Sequence, residues 1–345
     1  MSNYLKTLPK PFFILAPMYD VTDTVFRQII SEISPPDILM SEFVNVDGLS
    51  SAGRDKLLHK IVYSASEVPM IYQFWGKKPE NYKNITEQIL DSSLINSANE
   101  QAGQKALDKT GKSKLIGVDI NMGCPDKAVI KNGCCSAMIK DHPLAEGIIE
   151  ATREGLRGRG TLSVKTRLGF SDINMGWIRF LLSKKLNMLT IHLRTVREMS
   201  KVPAHFEVLE EIVKMRDEMA PETLLVANGD IENRAHGEEI SSKYGVDGIM
   251  IGRGVFHDPF AFSEGTVWAD YEPLKRLELY EKQVKLFKSV WKRSERPIVT
   301  LNKFCKIYVN GFDGAKEMRE NLMGAKDADD LLGKLRLIRQ ELGSG

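Results

Sequence analysis

Five short strings in this 345-residue chain carry side chains that can do chemistry. In "NMGCP" (121–125), Cys124 stands between Gly123, which permits a sharp turn, and Pro125, which stiffens it. "VKTRLG" (164–169) supplies Lys165 and Arg167, "IHLRT" (191–195) supplies His192, and "NGDI" (228–231) with "GRG" (252–254) adds Asn228, Gly229, Asp230, Gly252 and Arg253. A thiol in such a loop is a packed group, a metal ligand or a reagent. Metal binding needs further Cys or His at ligand spacing, and the adjacent Cys134 and Cys135 make no C-x-x-C pair, so no metal is expected. A packed thiol stays open, because free cysteine is often buried. So does a thiol that delivers a proton or attacks carbon.

Lys165 and Arg167 are two residues apart, so an extended chain points both the same way. A lysine at a buried strand end is costly unless it meets an anion or an electron-rich ring. A reduced flavin, which gathers negative charge at N1 and the C2 oxygen, is one such ring, and His192 could donate to the same edge. A satisfied structural histidine is the other reading. The glycines at 229, 252 and 254 let backbone N–H groups approach phosphate oxygens, with Arg253 as a charged partner.

These residues need a scaffold that converges them. Eight short apolar runs recur: 12–17, 38–43, 69–74, 116–121, 161–166, 188–193, 223–228 and 247–252. Each is followed by a stretch with helical spacing, which implies parallel strands joined by right-handed crossovers. Eight such units predict an α/β fold, a (β/α)8 TIM barrel; a doubly wound open sheet is the alternative. Gln73, Asn121, Lys165, His192, Asn228 and Gly252 lie at or near the carboxyl ends of different runs, and a barrel brings those ends to one mouth. From about residue 266 the spacing is helical only, over 274–291 and 330–342, with a break at Pro297 and turns at Gly311 and Gly314. The expected division is a catalytic barrel over 1–265 and a small all-helical domain over 266–345. The polar stretch 92–114 reads as a helix end followed by a mobile loop.

Composition is that of a globular chain, with 42% hydrophobic and 27% charged residues. The start has too short an apolar run for a secretory signal, and no stretch reaches the ~20 apolar residues of a membrane span, so a cytoplasmic address without membrane attachment is expected. Reduced thiols fit the four unevenly spaced cysteines. The net charge of +2 hides a stripe from Lys282 to Lys306, where eight basic residues face Glu295 alone. Lys282, Lys285, Lys292 and Arg293 belong to it. A stripe like this is either a solvated helix face or a phosphate-binding surface.

Taken in order, "LAPMYDVTDTVFR" (15–27), "NMGCP" (121–125) with "NG" (132–133), "VKTRLG", "IHLRT", "ANGDI" (227–231) and "IGRG" (251–254) resemble the flavin-dependent dihydrouridine synthases that modify tRNA. The resemblance spans the barrel and continues into the helical tail. It implies FMN in the barrel mouth, NADPH as reductant, and hydride transfer to C6 of a uracil while Cys124 protonates C5. It implies that Pro17, Met18 and Tyr19 pack under the flavin, that Gln73, Lys165 and His192 adjoin its ring, and that 228–230 and 252–253 hold its phosphate. Asn121 and Arg167 would face the base, flipped from its stack, and the basic stripe would hold tRNA. The chain departs from the family pattern at Tyr19 and Asp20, at Leu193, where glycine is commoner, and at Ser200, where an aromatic residue is usual. Ribosomal RNA, a free pyrimidine as in dihydroorotate dehydrogenases, and a non-catalytic RNA-binding role are the alternatives. Nothing in the sequence asks for a partner subunit, and a monomer is expected.

Overall fold

The computed structural model describes residues 4–67, 69–105, 115–265, 268–292 and 295–343. Eight strands, β1 (Phe12–Leu15), β2 (Ile38–Asn45), β3 (Met70–Trp75), β4 (Leu115–Met122), β5 (Thr161–Arg167), β6 (Met188–His192), β7 (Leu224–Asn228) and β8 (Gly248–Ile251), follow the eight apolar runs. They are parallel and pair in chain order, and β8 closes on β1 through registers such as Ile14 with Met250. That closure excludes the open sheet.

The runs become strands because they are short, largely apolar and buried on both faces, as parallel strands under helices must be. Alternation sorts their side chains. Phe12, Ile14, Ile38, Met40, Met188, Leu224, Val226 and Met250 pack together inside the barrel, and Leu5 of the preceding turn joins them. A larger apolar layer lies between the strands and the surrounding helices. Towards the carboxyl ends the inward positions become polar: Gln73, Asp119, Asn121, Ser163, Lys165 and His192. The barrel is therefore sealed below by hydrocarbon and open to chemistry above.

Several helices start on a side chain that accepts from the first turn, each such cap contributing ~1 kcal/mol. Asp23 accepts from Phe26 N–H at 2.9 Å, and Asp141, Asn174 and Asn233 do the same for their helices. After the short helix Gly254–His257 the alternation ends, and Pro273–Val290, Asn302–Tyr308, Ala315–Met323 and Ala328–Gly343 follow. The first and last of these run antiparallel, since Lys288 pairs with Asp329 while Arg339 reaches Glu278 and Glu281. The tail rests on the barrel helix Thr24–Ile33: Lys282 pairs with Glu32, the Phe26 and Phe304 rings lie 5.0 Å apart, and Trp291 Nε1 donates to Asp23 Oδ2 at 3.3 Å. The polar stretch 92–114 begins as the helix Ser93–Gln101, and its part from 106 to 114 lies outside the described residues. Among the described residues no helix is long and apolar enough to cross a membrane.

Candidate active site

A cavity of about 450 Å³ opens at the carboxyl ends of the strands. Pro17, Met18, Lys165, His192, Asn228, Gly229, Asp230, Gly252 and Arg253, all singled out in the sequence, line it together with Ala16, Ser200, Ile231, Glu232, Gly254 and His257. Gly229 has φ 119°, a backbone state closed to ordinary side chains, and a Cβ there would stand 3.3 Å from Ala204 Cβ. Asn228 is fixed by donating to the Met250 carbonyl at 2.9 Å. Asp230 holds two arginines at once: Arg253 Nη2 at 3.0 Å and Arg194 Nη2. Two guanidinium groups on one carboxylate leave positive charge over, beside two glycine turns. That donor set suits a phosphate.

Deeper in the cavity two polar groups wait for a partner. His192 Nδ1 is buried and has no hydrogen bond, while burial and the charges of Lys165, Arg167, Arg194 and Arg253 hold the imidazole well below its usual pKa and therefore neutral. Lys165 makes no hydrogen bond to the described residues, and burial with Arg167 nearby pushes its ammonium down to about 8. A buried polar atom without a partner costs ~1–3 kcal/mol, so this geometry is that of a site whose ligand completes it. A polar heteroaromatic ring with a negative edge at Lys165 and an atom bonded by His192 fits, as a flavin would.

The other half of the mouth is already wired. Ser163 Oγ and Gln73 Nε2 donate to Asp119 at 2.5 and 2.7 Å, and Asn121 Nδ2 donates to Gln73 Oε1 at 3.0 Å. Asn121 Oδ1 accepts from the backbone N–H groups of Gly123 and Cys124 at 3.1 and 3.0 Å. An acceptor-only carboxylate at one end and backbone donors at the other fix which way each amide points. Burial pushes the Asp119 carboxyl up to about 6, against the Ser163 and Gln73 bonds and the Lys165 charge. The loop ending in Cys124 is further pinned where Ser136 Oγ donates to the Cys124 carbonyl at 2.7 Å.

Cys124 is half-buried and unoxidised. A hydrogen bond from the buried Cys135 thiol is the chief reason its pKa falls to about 7, with burial opposing and the Asp126 N–H and Arg167 assisting. The group thus sits near the neutral point, where proton transfer in either direction is easiest.

Other expected residues lie differently. Tyr19 does not line the cavity: it is 53% exposed, 5.5 Å from the Phe43 ring, with Lys60 Nζ 3.8 Å above it. Gln73 is fully buried and committed to Asp119 and Asn121, leaving one N–H free. Arg167 donates through Nε and Nη1 to the carbonyls of Gly123, Thr195 and Met199, clasping the loops after β4 and β6. Lys282 and Lys285 are paired with Glu32 and Glu281, Lys292 is exposed, and Arg293 lies outside the described residues. Sequence reasoning missed Asp119, Cys135 and Arg194. Asp119 was within reach, since it precedes Asn121 by two on a strand and must share its face. The Cys124–Cys135 contact depends on a turn at Cys135, φ 52°, that no spacing rule announces.

Comparison with known proteins agrees with this geometry. The family described as dihydrouridine synthase (Dus) matches residues 14–342. A probable tRNA-dihydrouridine synthase of Staphylococcus aureus (strain COL) is 40% identical over 327 residues, covering 94% of this chain and 92% of that one. The protein of the same description from Staphylococcus epidermidis (strain ATCC 35984) is 41% identical over the same length. Probable tRNA-dihydrouridine synthase 2 of Bacillus subtilis (strain 168) is 40% identical over 332 residues, 95% and 94% of the two chains. With a profile match across nearly the whole chain and relatives at this identity, the chain belongs to the dihydrouridine synthase family of oxidoreductases.

Proposed function

We propose that this protein reduces the C5=C6 bond of uridines in tRNA to 5,6-dihydrouridine, with FMN in the cavity and NADPH as reductant. The observation that carries the reading is the place of Cys124: a half-buried thiol just past the carboxyl end of β4, whose Asn121 is in register with Lys165 of β5, near the buried His192 Nδ1 that has no partner among the described residues. FMN, when bound, supplies hydride to C6 of the base. Lys165 would meet the negative charge of the ring, and the neutral His192 would hold it through Nδ1. Gly229 and Gly252 offer backbone room to the phosphate, and Arg253 offers charge. Asn121 keeps the Cys124 loop in place, and the thiol would give its proton to C5 of the base. The reduction then balances, with one hydride at C6, one proton at C5 and a thiolate left to be reprotonated by solvent.

In this reading residues 1–265 carry the chemistry and 266–345 hold RNA. The basic stripe supports it, because neutralised phosphates release counterions. Lys282, Lys285, Lys292 and Arg293 are the proposed contacts, acting in the cytoplasm on a monomeric enzyme. The test is direct: purified protein, NADPH and unmodified tRNA, with uridines gaining two hydrogens read by mass spectrometry. Reduction of tRNA supports the proposal. Reduction of ribosomal RNA alone keeps the chemistry and replaces the partner, and no reduction of either with FMN bound refutes it.

A further inference from the structure

The loop after β1 contains a strained turn, and part of what holds it comes from the tail. Asp20 has φ 55°, in the left-handed region disfavoured for residues with a Cβ. Its N–H donates to Glu42 Oε1 at 2.7 Å, and its carbonyl accepts from Lys303 Nζ at 2.9 Å. Its carboxylate meets Lys60 Nζ at 3.1 Å and Arg296 Nη1 at 3.7 Å. Strain of this kind persists only where the surroundings over-determine it. Arg296 and Lys303 both belong to the tail.

Arg296 is only 4% exposed. Its guanidinium also meets Glu42, which is fully buried, and lies 3.5 Å from Asp23 Oδ2. Three carboxylates therefore converge on two cations, Lys60 and Arg296. Removing Arg296 leaves like charges around a single lysine where little water enters, the costly way to break a buried pair. Trp291 closes the joint, donating to Asp23 and lying 5.5 Å under the Arg296 guanidinium.

The turn is continuous with the cavity wall. Pro17 and Met18 line the cavity, and the Met18 N–H and carbonyl are both bonded to Thr22 Oγ1, at 3.0 and 3.1 Å. The Thr22 hydroxyl therefore ties the far end of the turn to the cavity-lining residue Met18. We infer that Arg296 and Lys303 are positioning residues of the cofactor site: the tail fixes the Asp20 turn, and through it the Pro17–Met18 wall. The link from wall to cofactor rests on the proposed reading of the cavity; the link from tail to turn does not. It also gives Tyr19 and Asp20, the departures from the family pattern, a physical setting, with Lys60 over the Tyr19 ring and against the Asp20 carboxylate.

The test uses the full-length chain without RNA and reads two quantities: hydrogen exchange of the peptide spanning 17–23, and FMN binding to the apoprotein by fluorescence. In Arg296→Met, exchange in that peptide should quicken at least about 10-fold and the FMN Kd should rise by about 10-fold, with peptides across β5–β7 unchanged. Arg296→Lys, which keeps a cation, should recover part of both. Lys303→Met removes one bond and should give about a 3-fold change, which keeps the test available if Arg296→Met does not fold. Unchanged exchange at 17–23 in Lys303→Met and in any folded Arg296 variant overturns the inference. Quickened exchange with no FMN binding by either variant or parent supports the joint and overturns the cofactor reading instead.

Discussion

The two sides of the barrel mouth are finished to different degrees. On β3 and β4 the inward polar groups Gln73, Asp119 and Asn121 satisfy one another and reach on to the backbone of Cys124. From β5 to the loop after β6 they do not: among the described residues His192 Nδ1 and Arg194 Nη1 are buried without partners, and Lys165 faces the cavity unbonded. A satisfied network holds a geometry before any ligand arrives, whereas unsatisfied groups store a cost that a ligand relieves. The first side is therefore suited to aim a reagent, and the second to receive a cofactor.

The largest effect should come from the reagent. Cys124→Ala should leave FMN and RNA binding intact while single-turnover uridine reduction falls by about 10²–10⁴-fold, the usual worth of a general acid. Proton delivery requires the thiol, so the wild-type rate should decline as pH rises through about 7, the value to which Cys135 draws Cys124. Wild-type turnover in Cys124→Ala would remove the residue from the chemistry.

The wired side can be cut at its root. Asp119→Leu keeps the branched shape but leaves the Gln73 and Ser163 donors unmatched, and should slow uridine reduction by roughly 10–100-fold. Asp119→Asn can still accept from Gln73 and should lose far less. A parallel loss in both variants would mean that charge, not amide orientation, is what Asp119 contributes. The pH dependence of stability has a definite sign. Burial raises this carboxyl to about 6, above an unfolded value near ~3.9, so its contribution is full below the unfolded pKa and lost as pH rises through about 6. Asp119→Asn should accordingly narrow the difference in Tm between pH 5 and pH 8.

On the waiting side, His192→Leu removes the partnerless nitrogen and should weaken FMN about 10-fold, while the apoprotein Tm holds or rises, because a buried unpaired atom goes and no protein bond is lost. A drop in Tm with unchanged FMN affinity would assign His192 to the scaffold instead.

How much of this was legible beforehand follows the same division. The barrel could be read from eight apolar runs, because burial on both faces forces a parallel strand to be apolar almost throughout. Nine expected cofactor residues line one cavity because they sit at strand ends, whose convergence is a property of the fold. Tyr19 escaped because a loop residue is placed by its neighbours, here Lys60 and Phe43 from distant segments. Arg167 shared the strand face expected of it, yet its long side chain reaches three loop carbonyls that no period of two can foresee. The pairing of Cys124 with Cys135 was equally hidden, since it depends on how the chain returns after the helix Lys127–Lys131.

The smallest effects belong to the basic stripe, and its two ends should differ. The helix Thr24–Ile33 descends from the mouth, so Glu32 marks its lower end and Asp23 its upper one. Lys282 pairs with Glu32 while Trp291 bonds Asp23, so Pro273–Val290 climbs towards the mouth. At 1.5 Å per residue, the helix end at Val290, two residues before Lys292, stands about 12 Å nearer the mouth than Lys282. Lys282 and Lys285 are also engaged with Glu32 and Glu281, whereas among the described residues no such pair engages the exposed Lys292. Lys292→Gln should reduce the slope of log Kd for tRNA against log salt by about one and weaken binding a few-fold. Lys282→Gln with Lys285→Gln should change that slope less than Lys292→Gln does alone. If the paired lysines prove the larger contributors, RNA runs down the flank of the tail, and the mouth takes only the flipped base.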